Sequence, residues 1–183
     1  MKLPIETRRL VLREMIASDW RAIHAYNRDP EFYRFLPITA PDEEATRGFV
    51  RLCLARARER PRGHYDLVIG ERASGIVVGT LRLSLRERGV ADLGYAIRRD
   101  RWNQGLATEA VAVLLSAAQT RLGVREVWAT VDPANGASCR VMEKLGLYRC
   151  AGEAGASIKP GRPPSMVHRL SLAPAERVSE RAV

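Results

Sequence analysis

The sequence predicts a single α/β (α+β) domain with a mixed, mostly antiparallel sheet of about six to seven strands and helices on both faces. Three observations support this. The chain has 183 residues, the size of one compact domain with a real core. Its middle third alternates apolar and polar residues in short segments joined by turns, as antiparallel strands do. Its second half alternates helical patterns with short apolar runs, and we find no internal repeat or second domain.

The first sixty residues predict one strand and two helices. Residues 10–13 form a short apolar strand. Ser18 and Asp19 are expected to cap a helix that ends before Pro30. A second helix follows Pro41, and its first turn is acidic, as the helix dipole favours.

The middle of the chain predicts an antiparallel meander. Its strands are 65–69, 75–86 and 90–97, joined by short turns. Residues 81–86 alternate between leucine and polar residues, which is the pattern of a sheet with one face in water.

The second half predicts two helices and three strands. A broad apolar face along 106–118 indicates a helix that begins after Gly105. The other elements are a buried strand at 124–131, a helix from Asn135 to Lys144, and strands at 147–150 and 166–172. Residues 173–183 have no pattern and are expected to form a disordered tail, which leaves 1–172 as the domain.

Composition limits the possible functions. No apolar run approaches the ~18–20 residues of a membrane span, and the N-terminus lacks the apolar core of a signal peptide. Three scattered cysteines are typical of a reducing compartment and argue against a disulfide framework or a metal site. We therefore expect a cytoplasmic protein without a membrane partner.

The net charge of +9 suggests an anionic partner, either nucleic acid or a phosphorylated cofactor, unless it only solvates the surface. Nucleic-acid binding is disfavoured because the chain has no helix-turn-helix spacing, no row of stacking aromatic residues and no lysine cluster.

Two segments carry candidate chemistry. In Trp102–Ala110, the small residues Gly105 and Ala107 stand where a strand leads into a helix, whose first N–H groups can hold a pyrophosphate; a plain loop is the alternative. In Asn135–Gly146, Asn135 and Ser138 can either cap the helix or face a ligand. Both segments begin helices that follow consecutive strands, so both can open onto one crevice.

These segments, preceded by Leu93-Gly94-Tyr95, resemble the acetyl-CoA core of the GNAT superfamily of N-acetyltransferases. The segment 6–13, followed by Asp19, is similar to the opening of the ribosomal-protein N-terminal acetyltransferase subgroup, and the likeness covers roughly residues 5–150. It implies transfer of the acetyl group of acetyl-CoA to a primary amine by direct attack in a ternary complex, without an acetyl-enzyme.

The resemblance also implies where the cofactor lies. It implies that strands 90–97 and 124–131 splay apart around the pantetheine arm, and that a backbone N–H near Tyr95–Ile97 stabilises the developing oxyanion. The superfamily has Gln or Arg where this chain has Trp102. The implied cofactor-binding residues are Tyr95, Ala96, Ile97, Gln104, Gly105, Leu106, Ala107, Thr108, Asn135 and Ser138.

Catalysis requires a proton for the leaving thiolate and a neutral amine. Many superfamily members use a Tyr seven residues after the Asn, where this chain has Met142. The resemblance therefore assigns the proton to Ser138, which the subgroup also has. Asp92 is the candidate base, with a surface acid or a water chain as alternatives.

Three further residues are of a type that could take part in the reaction. Glu109 is expected to pair with the helix dipole rather than to catalyse. His168 is a second candidate base, and Cys139 is a conceivable nucleophile without an identifiable His partner.

The subgroup likeness favours a protein or peptide N-terminal amine as the acceptor. The alternatives are a small-molecule amine, such as a metabolite or an antibiotic, and a non-catalytic module that binds acetyl-CoA. The sequence allows either a monomer or a homodimer.

Overall fold

The computed structural model describes residues 1–36, 40–157 and 163–172. The predicted disordered tail, 173–183, lies outside the described residues. No helix in the described ranges is both long and apolar enough to cross a membrane.

One mixed sheet forms the centre of the molecule. Its strands are β1 (Ile5–Glu6), β2 (Leu10–Glu14), β3 (His64–Glu71), β4 (Val77–Leu85), β5 (Val90–Ile97), β6 (Glu126–Val131), β7 (Tyr148–Ser157) and β8 (Pro164–Ser171). They lie in the order β1-β2-β3-β4-β5-β6-β8-β7. Only β5 and β6 pair in parallel, because α-helical chain separates them; all other neighbours are antiparallel. The predicted fold class is confirmed.

In the described part of the chain, four α-helices cover the sheet. They are α1 (Trp20–Asn27), α2 (Glu43–Ala57), α3 (Leu106–Leu122) and α4 (Gly136–Lys144), and a short 3₁₀ turn (Pro30–Tyr33) lies between α1 and α2. The apolar side of α3, with buried Val111 and Leu114, packs with Leu81 and Val127 of the sheet in the larger core. The helices α1 and α2 pack on Val68 and Val77 in a second, smaller core. These two cores place helices on both faces, as predicted.

The strands β4 and β5 approach closely at Gly79. A Cβ atom at this glycine would lie 2.2 Å from the carbonyl oxygen of Ala96. Only glycine permits this approach without displacement of β5. The close packing fixes the end of β5 that leads into the candidate site.

The structure differs from the sequence prediction in three elements. Eight strands are present instead of six to seven, because the two-residue β1 pairs with β2 and is too short to give a periodic signal. The strand β7 extends to Ser157, well beyond the predicted 147–150. The side chain of Asp19 does not cap α1. It is buried and bonds both Arg13 and the backbone N–H of Ile16.

Candidate active site

A gap opens in the sheet between β5 and β6. The two strands pair only at three positions, from Val90 with Glu126 to Asp92 with Trp128, and then separate. Beyond Asp92, β5 pairs with β4 alone within the described chain. The splayed strand pair that the family resemblance implied is therefore present.

The exposed edge of β5 presents backbone groups to this gap. The N–H of Arg98 donates to Val78, and the carbonyl of Val90 accepts from Arg86, so even-numbered residues face β4. Because alternate residues of a strand point their N–H and C=O groups to opposite sides, Leu93 and Tyr95 turn theirs toward the gap. Unpaired groups of this kind are available to an extended ligand that lies along the strand.

The N-terminus of α3 stands beside the gap and is uncapped. Gly105 precedes the helix with φ 73°, in the left-handed region, and no side chain bonds the first-turn amides. The first intrahelical bond runs from the N–H of Glu109 to the carbonyl of Gly105. The N–H groups of residues 106–108 therefore precede the helical ladder and can bind an anion, aided by the dipole of a 17-residue helix.

The N-terminus of α4 differs, because it supplies its own cap. The Oδ1 atom of Asn135 accepts a hydrogen bond from the N–H of Ser138 at 3.1 Å. This bond fixes the first turn of α4 and so the position of the Ser138 side chain. The capping role that the sequence offered for Asn135 is thus present.

The hydroxyls of Ser138 and Tyr95 form a hydrogen-bonded pair. Their oxygen atoms lie 2.9 Å apart, which joins α4 to the splayed part of β5. Burial raises the pKa of Tyr95 to about 12, although the bond to Ser138 opposes this shift. Tyr95 therefore keeps its proton at any physiological pH.

These elements enclose one cleft of about 540 Å³. All ten residues predicted to bind the cofactor line it, together with four basic side chains and the carboxylate of Glu31. The basic side chains are Arg34, Arg101, Arg140 and Lys144. The aromatic rings of Phe32 and Phe35 also line the cleft, and the guanidinium of Arg34 lies over the ring of Phe35. A lining that combines basic and apolar side chains suits a long, amphipathic anion.

Two predicted catalytic residues do not reach this cleft. Asp92 is not among its lining residues and forms an ion pair with Arg86. It precedes Tyr95 by three residues, roughly 10 Å along the strand. His168 is buried on β8, also outside the lining, and burial lowers its pKa.

Two other residues of α4 are excluded from catalysis by their surroundings. Met142, at the position where many superfamily members have Tyr, is fully buried in the larger core. Burial raises the pKa of Cys139, which keeps the thiol protonated and unreactive.

Sequence reasoning missed three features of the cleft. Trp102 lines it and donates its indole N–H to the carbonyl of Ile97 at 2.6 Å, so it closes the end of β5. Glu31 enters from the 3₁₀ turn, and the Tyr95 hydroxyl enters from the strand. No motif contains Glu31, which reaches the cleft only through tertiary packing. Trp102 and Tyr95 lie in the motifs, but the bonds of their side chains to Ile97 and Ser138 cannot be predicted from those motifs.

A cleft between splayed strands with an uncapped helix at its mouth is a site in which an acyltransferase can hold a coenzyme A thioester. The acetyltransferase (GNAT) domain family matches residues 9–148. The chain belongs to this family and is an acetyl-CoA-dependent N-acetyltransferase.

The chain is also similar to individual proteins, to one in sequence and to two in fold. The uncharacterized N-acetyltransferase p20 of Bacillus licheniformis is 28% identical over 78% of this chain and 81% of its own. The ribosomal-protein-S5-alanine acetyltransferase of Vibrio fischeri has a TM-score of 0.80 at 17% identity, over 93% of this chain and 97% of its own. The microcin C7 self immunity acetyltransferase MccE, solved with acetyl-CoA and AMP, has a TM-score of 0.79 at 13% identity, over 91% of this chain and 94% of its own.

The residues of the cleft fit acetyl-CoA. The open amides of α3 match a pyrophosphate, the exposed edge of β5 matches the amide groups of a pantetheine arm, and the basic side chains match the remaining phosphate charge. The described residues contain no group of three or more His, Cys, Asp or Glu side chains that could hold a metal ion.

Proposed function

We propose that this enzyme acetylates the α-amine of a protein or peptide, and that the cleft between α3, α4 and the splayed strands is its active site. The observation that supports this site most directly is the uncapped N-terminus of α3 beside the open edge of β5.

The pyrophosphate of acetyl-CoA binds the turn from Gln104 to Thr108. The amides of Gly105, Leu106, Ala107 and Thr108 lie at the positive end of the α3 dipole, where backbone N–H groups bind phosphate without a dedicated side chain. Asn135 acts on the cofactor indirectly, since its cap holds the first turn of α4 against the cleft.

The pantetheine arm runs along the edge of β5 past Tyr95, Ala96 and Ile97. Acetyl-CoA supplies the thioester carbonyl that the amine attacks and the thiol that leaves. The N–H of Tyr95 faces the gap and is the backbone donor best placed to polarise that carbonyl.

Ser138 donates the proton that the leaving thiolate takes up. The hydroxyl of Tyr95, 2.9 Å away, can donate its own hydrogen to Ser138 at the same time. Because burial holds the pKa of Tyr95 at about 12, a proton is present on this pair whenever the enzyme works.

The amine needs only weak help to lose its proton. Glu31 is the candidate base that lines the cleft, where its carboxylate pairs with Arg34 at 3.4 Å, whereas Asp92 lies outside the lining. A carboxylate or a water chain suffices for an α-amine, whose pKa of about 7.7–8.0 leaves a sizeable neutral fraction near pH 7. A lysine amine, near 10.4, would need a much stronger base.

Charge also favours a peptide over a polyamine or an aminoglycoside. The protein carries a net charge of +9, and four basic side chains line the cleft against one carboxylate. A polycationic acceptor would be repelled from this surface. The two structural neighbours correspond to the two kinds of acceptor under consideration. One is named for a ribosomal protein, and the other was solved with the small molecule AMP.

We also propose that the enzyme works in the cytoplasm, as a monomer or a homodimer. Its three cysteines are free, as expected of a chain in a reducing compartment.

A thiol-release assay tests the acceptor. Short peptides with a free α-amine should release CoA faster than the same peptides blocked at the N-terminus, spermidine or an aminoglycoside. The blocked peptides are the matched control, since they differ only in the reacting nitrogen. Activity confined to the small amines would overturn the protein acceptor, and no release with any amine would favour a non-catalytic acetyl-CoA module.

A further inference from the structure

The N-terminal hairpin, formed by β1 and β2, contacts the first turn of α3 through its connecting turn. Two of its residues bond the carboxylate of Glu109. The hydroxyl of Thr7 donates to Oε1 at 2.6 Å, and Arg9 donates its backbone N–H to Oε1 at 3.1 Å and its Nε–H to Oε2 at 2.6 Å. These bonds lower the pKa of Glu109, although burial alone would raise it. Glu109 therefore not only lies at the positive end of the helix dipole but also binds the side chains of Thr7 and Arg9.

The guanidinium of Arg9 makes a second contact that Glu109 orients. Its Nη1 donates to the carbonyl oxygen of Gln104 at 2.9 Å. The C=O and N–H of a trans peptide point in opposite directions. Because Arg9 holds the carbonyl of Gln104, the N–H of Gly105 in the same peptide must point away from Arg9. Both Gln104 and Gly105 line the cleft, whereas Arg9 is not among the lining residues.

The backbone of the turn does not by itself fix the orientation of the Gln104–Gly105 peptide, so a contact from elsewhere in the chain is needed. Gly105 has φ 73° and no side chain, so the Gln104–Gly105 peptide can rotate with little steric penalty. No side-chain cap holds the start of α3 either. The only side chain bonded to this peptide in the described chain is that of Arg9.

We propose that Arg9, oriented by Glu109, is a positioning residue that holds the Gln104–Gly105 peptide with its N–H toward the cleft and so sets the affinity for the pyrophosphate of acetyl-CoA. This inference rests on the proposed binding site at the α3 turn. It gives the N-terminal hairpin a role in the reaction although the hairpin touches no substrate.

Arg9→Lys separates this role from simple charge. Lysine keeps the positive charge but lacks the planar fork that bonds Glu109 and Gln104 together. We expect the Kd for CoA and the KM for acetyl-CoA to rise about tenfold, the effect of one hydrogen bond with a charged group. The kcat and the KM for the acceptor should stay near those of the parent.

A truncated donor provides a readout that a general structural defect would not give. S-acetylpantetheine carries the thioester but no pyrophosphate. Its kcat/KM should be the same in Arg9→Lys and the parent, because the lost interaction has no ligand group to act on. An equal loss with both donors would overturn the proposal, since it would indicate damage to the whole cleft.

Glu109→Gln tests the proposal through the direction in which the affinity for CoA changes. It removes a negative charge close to the phosphate site, so electrostatics alone predicts tighter CoA binding. The proposal predicts weaker binding, because Arg9 loses the ion pair that orients it. Tighter or unchanged binding would overturn the role of Glu109.

Arg51→Ala is the matched control. Arg51 is also an ion-paired arginine, 2.6 Å from Glu44, but it lies on α2 and does not line the cleft. It should bind CoA like the parent. Gly105→Glu, titrated in parallel, tests the underlying site: if it binds CoA normally, the pyrophosphate site itself is misplaced. If it fails to bind while Arg9→Lys binds like the parent, only the positioning role is wrong.

Discussion

At the scale of single residues, the hydroxyl pair of Tyr95 and Ser138 is the most specific chemical feature of the cleft. A lone serine is a poor acid, but here a tyrosine with a pKa of about 12 lies 2.9 Å away. Burial makes the neutral form of Tyr95 more stable than its anion, so the tyrosine supports Ser138 as a hydrogen-bond donor and does not compete with it as a base.

Ser138→Ala should lower kcat by ~10²–10⁴, as expected for the loss of a general acid, while the Kd for CoA stays nearly unchanged. It should also cost about 0.5–1.5 kcal/mol of unfolding free energy, because the half-buried Tyr95 hydroxyl loses a hydrogen bond but still faces the cleft. Tyr95→Phe should reduce kcat less, since Ser138 remains. Single-turnover kinetics and thermal melts measure the two effects.

Ser116→Ala is the control for this experiment, because Ser116 lies on an exposed face of α3. Full turnover in Ser138→Ala would transfer the acid role elsewhere. If Tyr95→Phe alone then lost activity, the tyrosine would be the direct proton donor.

The residues that the sequence predicts to hold the cofactor all line one cleft, whereas of the two predicted catalytic residues only Ser138 lines it. Gln104–Thr108 and Asn135 lie in a contiguous motif, whose function depends on a local strand-to-helix turn. Asp92 lies outside the cleft lining because it belongs to the part of β5 that still pairs with β6, and a residue's position along a strand does not tell where two strands separate. The place of Glu31 in the cleft and the bond of Arg9 to Gln104 could not be predicted, because both depend on contacts between distant parts of the chain.

At the scale of elements, α3 has an unusual start. The helix α2 is capped by Asp42 and α4 by Asn135, whereas α3 begins at a left-handed glycine with no side-chain cap. A capped helix would offer fewer free amides to a ligand. The missing cap lowers the stability of the free protein and leaves binding groups available to the cofactor.

Acetyl-CoA should therefore stabilise the protein through this turn. At ~100 times its Kd it should add about 2.7 kcal/mol, a rise in Tm of very roughly 5–10 °C. Gly105→Glu should abolish the shift, because it places a carboxylate where the pyrophosphate binds. Gly75→Glu is the control: Gly75 also has a positive φ, of 70°, but lies in the open turn between β3 and β4. A full shift in Gly105→Glu would contradict the proposed site.

Element prediction succeeded where periodicity was long. The meander β3-β4-β5 and the helix α3 follow clear patterns, and their predicted positions agree with the structure within a few residues. The two-residue β1 has no period to detect. The insertion of β8 between β6 and β7 depends on long-range pairing, which local sequence does not encode.

At the scale of the whole molecule, each of the two cores supports a different part of the cleft. The larger core carries α3, α4 and the cofactor side of the cleft, and the smaller core carries α1, α2 and the 3₁₀ turn with Glu31. The cleft lies where the two meet. The acceptor can therefore approach from the wall formed by Phe32 and Phe35 while acetyl-CoA enters from the α3 side, as direct transfer in a ternary complex requires.

The pH dependence of kcat/KM should identify the reacting amine. Only the neutral amine attacks, so the rate rises as pH passes the acceptor's pKa and then levels off. An α-amine predicts half-maximal activity near pH 7.7–8.0. No decline should follow up to about pH 10, because the pKa of Tyr95 is about 12 and the proton donor remains intact. The measurement is thiol release with saturating acetyl-CoA and a short peptide without lysine. A profile that still rises toward pH 10.4 would indicate a lysine-like amine and contradict the α-amine acceptor.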